Sequence, residues 1–425
     1  MKFAALTVIA LGVLLFGLVS KRLTRSIITP PMAFTGLGLL LGALGWLQLD
    51  LGGLVEILVE LTLALVLFTD ATRINLGLLR REYGLAVRLL GVGLPLTIAA
   101  GTAIGLLLFD FGLWEVALLA TILAPTDAAL GQAVVSDERV PVRVRQTLNV
   151  ESGLNDGLAL PVVLLFISFV TMETEGVGAW LRFVGLQLFL APLVGGLVGY
   201  LGGALVDYAT RARTINTVFT KLSALALALL AFALAELVGT NGFIAAFVAG
   251  LALGSSGRAV CHQLYEFAET EGQLLTLIVF LLFGALMVGP ALSALSWSAV
   301  LYALLSLTTV RMLPVALSLL GAKLQLDTVL FVGWFGPRGI ASISYGLLLL
   351  EHALPQSLFN VIVLTVLLST LLHGLSAVPL ARIYGARVKA KMKAEEADPM
   401  PETMPITQMP LRLSETSEAV DIEPI

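Results

Sequence analysis

The chain predicts an all-α polytopic membrane protein with about thirteen transmembrane helices, on composition, segment length and loop charge. Of its 425 residues, 58% are hydrophobic and 13% charged, with mean hydropathy +0.97. Soluble domains run near 25% charged and about 45–50% apolar. Apolar runs near 3–20, 31–48, 53–71, 84–109, 112–136, 143–171, 178–207, 214–237, 241–255, 268–289, 295–319, 327–350 and 356–381 are mostly of the roughly 17–25 residues a span requires. Only the ninth is short.

Loop charges support the count. One set of alternate loops carries Lys21, Arg22 and Arg25, then Arg73, Arg80 and Arg81, then Arg139, Arg143 and Arg145. It continues with Arg211, Arg213 and Lys221, then Arg258, Lys323 and the basic run Arg382 to Lys393. The other set carries Asp50, Asp110, Glu173 and Glu175, with Arg182 the exception. An odd number of spans with this alternation places the amino terminus outside and the carboxyl terminus in the cytoplasm. Met1–Ser20 has a signal-like composition, but it lacks a small-x-small cleavage site and Lys21, Arg22 and Arg25 follow it. It reads as the first span.

Several chemistries drop out early. A single cysteine, Cys261, excludes an internal disulfide and a cysteine metal cluster. His262, His352 and His373 lie far apart, which argues against zinc. No Walker sequence or nucleotide fingerprint occurs. No cofactor and no nucleic-acid partner is expected.

Function concentrates between Thr121 and Leu160, where Asp127, Glu151 and Asp156 sit within otherwise apolar segments. A charge at the centre of a spanning helix costs about 2.5–3.5 kcal/mol on insertion scales, so intramembrane carboxylates point to an ion or proton path. Pro125 interrupts the fifth span just before Thr126 and Asp127; proline removes a helix hydrogen bond and crowds the preceding turn. The twelfth span is similarly broken at FGPRGIAS. The spans before these two breaks carry Pro95 and Pro314. These paired interruptions predict an inverted-repeat transporter with two broken, crossing helices and its site at the crossing. The ion-binding core is expected over about 84–171 and 295–381, and scaffold and dimer surface over the rest of 1–385.

Ser152 and Asp156, four residues apart, share a helix face. A hard cation seeks several oxygens, which the Ser152 hydroxyl, the Asp156 carboxylate and carbonyls freed near Pro125–Thr126 would supply. Asp156 also takes a proton, and a carboxylate that holds either ion but never both is sufficient for exchange. The competing reading, a permanent Asp156–arginine pair, is disfavoured by the charge count. Arg311 and Arg338 are the intramembrane bases against three acids, so two pairs leave one acid over. Arg338 is the expected partner of Glu151. Asp127 is expected to offset the positive amino ends of half-helices rather than to ligate the ion. Asp70 and Arg73 read as a helix-end pair, and His262 as a solvated loop residue.

The motifs APTDAAL, VESGLNDG, VRMLP and GPRGIAS resemble those of the monovalent cation:proton antiporters, in the sodium/proton exchanger branch that includes bacterial and archaeal NhaP proteins. The resemblance spans Met1 to about Gly385. It implies a homodimeric antiporter in the prokaryotic inner membrane, with an elevator-like movement of the core. It makes Asp156 the ion and proton carboxylate and Asn155 its motif partner. Ser152 and Thr126 become ion ligands, and Glu151 the acid beside the ion; the cation site is therefore Asp156, Ser152, Thr126 and Glu151. One departure stands out: Ala128 follows Asp127 where the family usually has proline.

The expected activity is electroneutral, one-for-one exchange of Na+, or Li+ or K+, for H+. A cation channel without proton coupling uses the same carboxylates, as would a sensor with vestigial transport, but paired broken helices suit alternating access better. Beyond Gly385 the chain turns polar, and 386–425 is expected to be a disordered cytoplasmic tail.

Overall fold

The computed structural model describes residues 10–18, 28–47, 53–171, 184–256, 272–351, 355–394 and 400–408, with isolated positions 7, 178 and 182. Every regular element among them is helical. In order these are α1 (Pro30–Ala43), α2 (Leu54–Thr72), α3 (Leu76–Glu82) and α4 (Gly84–Leu108). The broken pair α5 (Leu113–Ile122) and α6 (Ala128–Val135) precedes α7 (Val142–Thr171). Then come α8 (Leu186–Arg211), α9 (Thr217–Leu237), α10 (Gly242–Ser255) and α11 (Gly272–Ser293). The chain continues through α12 (Trp297–Leu307), α13 (Thr309–Ser318), α14 (Leu326–Trp334), α15 (Ile340–Glu351) and α16 (Gln356–Ala394).

Among the described residues, seven helical stretches are long and apolar enough to cross a membrane, and four shorter helices are apolar. The outer loop with Glu173 and Glu175 and the loop with His262 lie outside the described residues.

Local chemistry sets many helix starts. Asn75, Asn216, Asn241 and Ser296 cap α3, α9, α10 and α12 by accepting hydrogen bonds from first-turn amides. Three prolines lie inside long helices directly after widened π-turns: Pro95 after Leu89–Gly93, Pro192 after Leu186–Leu190 and Pro290 after Phe283–Val288. A proline ring collides with the carbonyl four residues earlier. In each case that carbonyl belongs to the wide turn, which gives the ring room while the helix continues.

Small residues bring backbones together. A Cβ on Gly38 or Gly42 of α1 would strike carbonyls of α11, and one on Gly195 or Gly199 of α8 would strike α10. Gly250 and Gly254 place α10 directly on α2. Such close approach replaces the hydrophobic driving force that helices lack in lipid. At the end of α2, Asp70 and Arg73 form an ion pair at 3.7 Å.

The carboxyl-terminal region differs from the expected disordered tail. α16 runs nine residues past Gly385, to Ala394. Gly385 lets it pass against the backbone of Arg139, and Arg387 and Lys391 hold Asp327 of α14 at 3.1 and 3.2 Å. Residues 400–408 then fold back. Met400 is buried in a cluster with Val140, Val144 and Tyr384, and the fully buried Glu402 accepts a 3.0 Å hydrogen bond from the Thr328 hydroxyl. Arg143 donates to the Pro401 carbonyl at 2.6 Å, and the Tyr83 hydroxyl to that of Thr407 at 2.6 Å. Polar composition predicted disorder, but these few anchors find receptors on helix ends that are distant in sequence. Residues 409–425 lie outside the described residues.

Candidate functional site: two interrupted helices and a buried ion pair

α5 ends at Ile122 and α6 begins at Ala128; α14 ends at Trp334 and α15 begins at Ile340. Each break strands backbone groups at a depth where water is absent, so each needs internal partners. The breaks supply them largely to each other. The Asp127 amide donates to the Pro337 carbonyl at 2.7 Å. The Arg338 guanidinium donates to the carbonyls of Ala124 (2.7 Å) and Pro125 (3.1 Å), and the Ser342 hydroxyl to that of Ile122 (2.8 Å).

Asp127 is the hinge of this arrangement. As the N-cap of α6 it accepts hydrogen bonds from the amides of Ala129 and Leu130, at 2.7 and 3.1 Å. Its second oxygen accepts from the Ile340 amide, at the start of α15, at 2.7 Å. One carboxylate thus meets the positive ends of two half-helices. Gly339 is required beside it, because a Cβ there would collide with the Asp127 carboxylate.

α16 satisfies the remaining edge of the second break. The Arg338 amide donates to Ser369 Oγ at 2.6 Å, and Ser369 Oγ lies 3.2 Å from His373 Nδ1. His373 Nε2 lies 2.9 Å from the Trp334 carbonyl. His373 Nδ1 also lies 3.0 Å from the Ser369 carbonyl, so each ring nitrogen faces a backbone acceptor and the ring ties α16 to the end of α14. In the sequence His373 stands out only as one of three scattered histidines, and Ser369 not at all. Their four-residue spacing on an apolar helix was the available signal.

The ion pair differs from the expected one. Arg311, not Arg338, holds Glu151: Nη1 and Nη2 donate to the two carboxylate oxygens at 2.6 and 2.8 Å, and both side chains are buried. A fork of this kind matches a carboxylate in geometry as well as charge. Arg311 reaches it because the chain is kinked at Thr308 (φ −112°, ψ −94°), between α12 and α13, and because Gly336 leaves room for its guanidinium. Arg338 is fully buried and is spent on carbonyls; among the described residues it forms no ion pair. The expectation of two acid–base pairs is therefore replaced by one direct pair. Of the backbone expected to be freed at Pro125–Thr126, the Pro125 carbonyl already carries a hydrogen bond from Arg338, as does that of Ala124 before it.

Three expected site residues are hydrogen-bonded together where α7 passes the first break, and a fourth, Asp156, lies one turn further along α7. Thr126 Oγ1 lies 2.8 Å from Ser152 Oγ and accepts a 2.7 Å hydrogen bond from Asn155 Nδ2. Asp156 is buried one turn from Ser152 on the same helix, and its carbonyl accepts from the Tyr345 hydroxyl at 2.8 Å. Pro161, further along α7, leaves the helix continuous. Hydroxyl, amide and carboxylate oxygens in a buried pocket form a donor set suited to a hard monovalent cation. The carboxylate is also the one group of that set able to carry a proton.

The family to which the chain proves to belong is one of membrane transporters, not enzymes. The chain belongs to the sodium/hydrogen exchanger family, whose transmembrane region matches residues 7–383. It is 26% identical over 404 residues to the K+/H+ antiporter NhaP of Alkalimonas amylolytica, covering 93% of this chain and 70% of that protein. It is 26% identical over 391 residues to the K+/H+ antiporter NhaP2 of Shewanella sp. (strain MR-4), covering 88% of this chain and 65% of the relative. The chain thus spans about two thirds of the length of these relatives. The structure of the sodium proton antiporter MjNhaP1 from Methanocaldococcus jannaschii at pH 8 shares the fold, with a TM-score of 0.73 and 22% identity. That match covers 91% of this chain and all of the other.

Proposed function

We propose that the chain exchanges a monovalent cation for a proton across the bilayer, one for one, with Asp156 carrying either ion in turn. The reading rests on the Thr126–Ser152–Asn155 cluster beside Asp156 at the break between α5 and α6. The names of the relatives, K+/H+ and sodium proton antiporters, agree with cation–proton exchange and leave Na+, K+ and Li+ as candidate cargo.

Charge bookkeeping supports electroneutrality. Glu151 is engaged by Arg311, Asp127 is engaged by three backbone amides, and Asn155 carries neither charge nor proton. With Asp156 as the one alternating carboxylate, each half-cycle moves one positive charge. In this reading residues 84–171 and 295–381 move as an ion-binding core against the remaining helices. Two copies form a homodimer in the prokaryotic inner membrane, amino terminus outside and carboxyl terminus in the cytoplasm.

The test uses proteoliposomes that contain a pH-reporting dye. Addition of Na+, K+ or Li+ should drive proton movement at a rate unchanged by K+/valinomycin clamps at several potentials. Asp156→Asn should insert and fold yet move no protons. Apparent cation affinity should fall as pH is lowered, with maximal rate recovered at saturating cation. A steady-state current, or exchange retained by Asp156→Asn, would overturn the reading.

A further inference from the structure

A cleft of about 660 Å³ lies between α3, α4, α7 and α10, away from the ion site. Its thirteen lining residues are all aliphatic, phenylalanine, glycine or proline. Leu76, Val87, Gly91, Pro95 and Leu158 are exposed on its rim, so it opens sideways towards lipid.

Its length and orientation are informative. Along α4 the lining runs from Val87 to Ile98. Eleven residues at 1.5 Å each make roughly 16 Å, about half of a 30 Å hydrocarbon core and so one leaflet deep. The end near Val87 adjoins α3, whose Leu76 and Leu79 also line the cleft. The last turn of α3 presents Arg80 and Arg81, both exposed. Arg80, one turn from Leu76, shares its face of the helix, whereas Arg81, two residues past Leu79, faces away. An apolar slot one leaflet deep therefore ends at a helix turn that carries one guanidinium on the same face, where a headgroup would lie.

The position also matters. Leu154, Leu158 and Val162 form one wall. They are the stripe of α7 turned away from Ser152 and Asp156, since residues two apart on a helix face nearly opposite ways. Phe247 of α10, another lining residue, packs on α7 so closely that a Cβ on Gly157 would collide with its ring. An occupant of the cleft touches the helix that carries the ion carboxylate and the helix packed against it.

We propose that this cleft binds one anionic phospholipid of the bilayer, with an acyl chain laid along α4 and its phosphate against Arg80. The apolar walls hold the chain and the arginine selects the charge. A basic residue near an anionic lipid contributes about 1 kcal/mol, a preference of roughly fivefold for anionic over zwitterionic lipid, at tenfold per 1.4 kcal/mol.

The test is native mass spectrometry of the full-length protein in mild detergent, titrated separately with phosphatidylglycerol and phosphatidylcholine. It reads lipid, so it is independent of the transport reading. The wild type should retain one phospholipid per protomer and favour phosphatidylglycerol. Gly91→Phe should lose that lipid at least tenfold, because a side chain there enters open space rather than the packed interior. Leu158→Trp fills the cleft from the opposite wall and guards against a folding defect in the first variant. Arg80→Gln should retain lipid while losing the preference, and Arg81→Gln should keep both. Equal retention by both filled variants would overturn the site. So would a filled variant that loses a second protein copy rather than a lipid. An undiminished preference for phosphatidylglycerol in Arg80→Gln would overturn the headgroup assignment.

Discussion

Arg311 grips both carboxylate oxygens of Glu151, a residue 160 positions earlier in the chain, at 2.6 and 2.8 Å inside the bundle. The pair joins the kinked α13 to α7, the helix of Ser152, Asn155 and Asp156. Neither partner has solvent to fall back on, so the stability of the site region depends on the pair remaining whole.

Removing one partner of a buried ion pair costs about 3–5 kcal/mol, because the other charge is left stranded. Arg311→Ala should therefore lower the melting temperature in detergent markedly. Arg311→Lys should recover only part of the loss, since an ammonium cannot make the two-pronged contact. A melting curve of Arg311→Ala superimposable on that of wild type would refute the role of the pair.

Gly339 and Gly131 provide a matched comparison. A Cβ at Gly339 collides with the Asp127 carboxylate, whereas one at Gly131, on α6, meets nothing within 4 Å. Gly339→Ala should cost about 1–3 kcal/mol through overpacking and abolish exchange, because Asp127 would lose its bond to the Ile340 amide. Gly131→Ala should be neutral or stabilising by about 0.5–1 kcal/mol. Equal transport by the two variants would show that the contact between the breaks is dispensable.

His373 and Ser369 hold the two edges of the second break, at the Trp334 carbonyl and the Arg338 amide. His373→Ala removes one of two donors on the Trp334 carbonyl, which keeps the Gly336 amide at 2.8 Å, at about 0.5–1.5 kcal/mol, and loosens the segment from which Arg338 reaches Ala124 and Pro125. We expect a lower melting temperature together with weaker apparent cation affinity in exchange assays. His373→Gln, which can still donate to Trp334, should restore part of both. Unchanged affinity in the destabilised alanine variant would reduce the residue to a packing role.

The returning carboxyl-terminal segment should be sensitive to acid. The Glu82 carboxylate accepts from the Thr407 amide at 2.7 Å and from its hydroxyl at 3.0 Å. Those bonds, the amide's first, lower its pKa below the usual 4.5. A depressed carboxylate pKa means docking favours the ionised form. That contribution is present above the ordinary value and is lost as pH falls through the lowered one. A spin label at Met404→Cys should thus become more mobile in acid. Glu402, Tyr83, Tyr384 and Arg143 also face the segment, so Glu82→Gln is needed to isolate Glu82; it should remove the acid transition. A label whose mobility is unaffected by pH in the wild type would contradict this.

Much of the membrane architecture was legible because its causes are local. Apolar runs of spanning length declare helices wherever they occur, and Pro125 and the FGPRG sequence declare interruptions, because proline and glycine act on their own backbone. Ser152 was nominated by its helix face, Thr126 and Asn155 by the resemblance of their motifs to the antiporter family, and these are the side chains joined through Thr126 Oγ1. The π-turns before Pro95, Pro192 and Pro290 follow from an equally local cause.

Partner choice was not legible, because it depends on which distant groups arrive with the right geometry. From charge alone, Arg311 and Arg338 are interchangeable partners for Glu151. The kink at Thr308 and the space above Gly336 deliver Arg311, while Arg338 falls beside carbonyls that the first break had left bare. His373 read as a scattered histidine until α16 carried it to Trp334, and Glu402 as solvated tail until Thr328 lay opposite it. Sequence by itself determined where helices form, where they break and which buried groups carry charge, since propensity and the cost of charge in lipid act residue by residue. Only the tertiary structure decided which charge meets which partner, because a buried ion pair or hydrogen bond is made within a few tenths of an ångström, a precision that packing alone supplies.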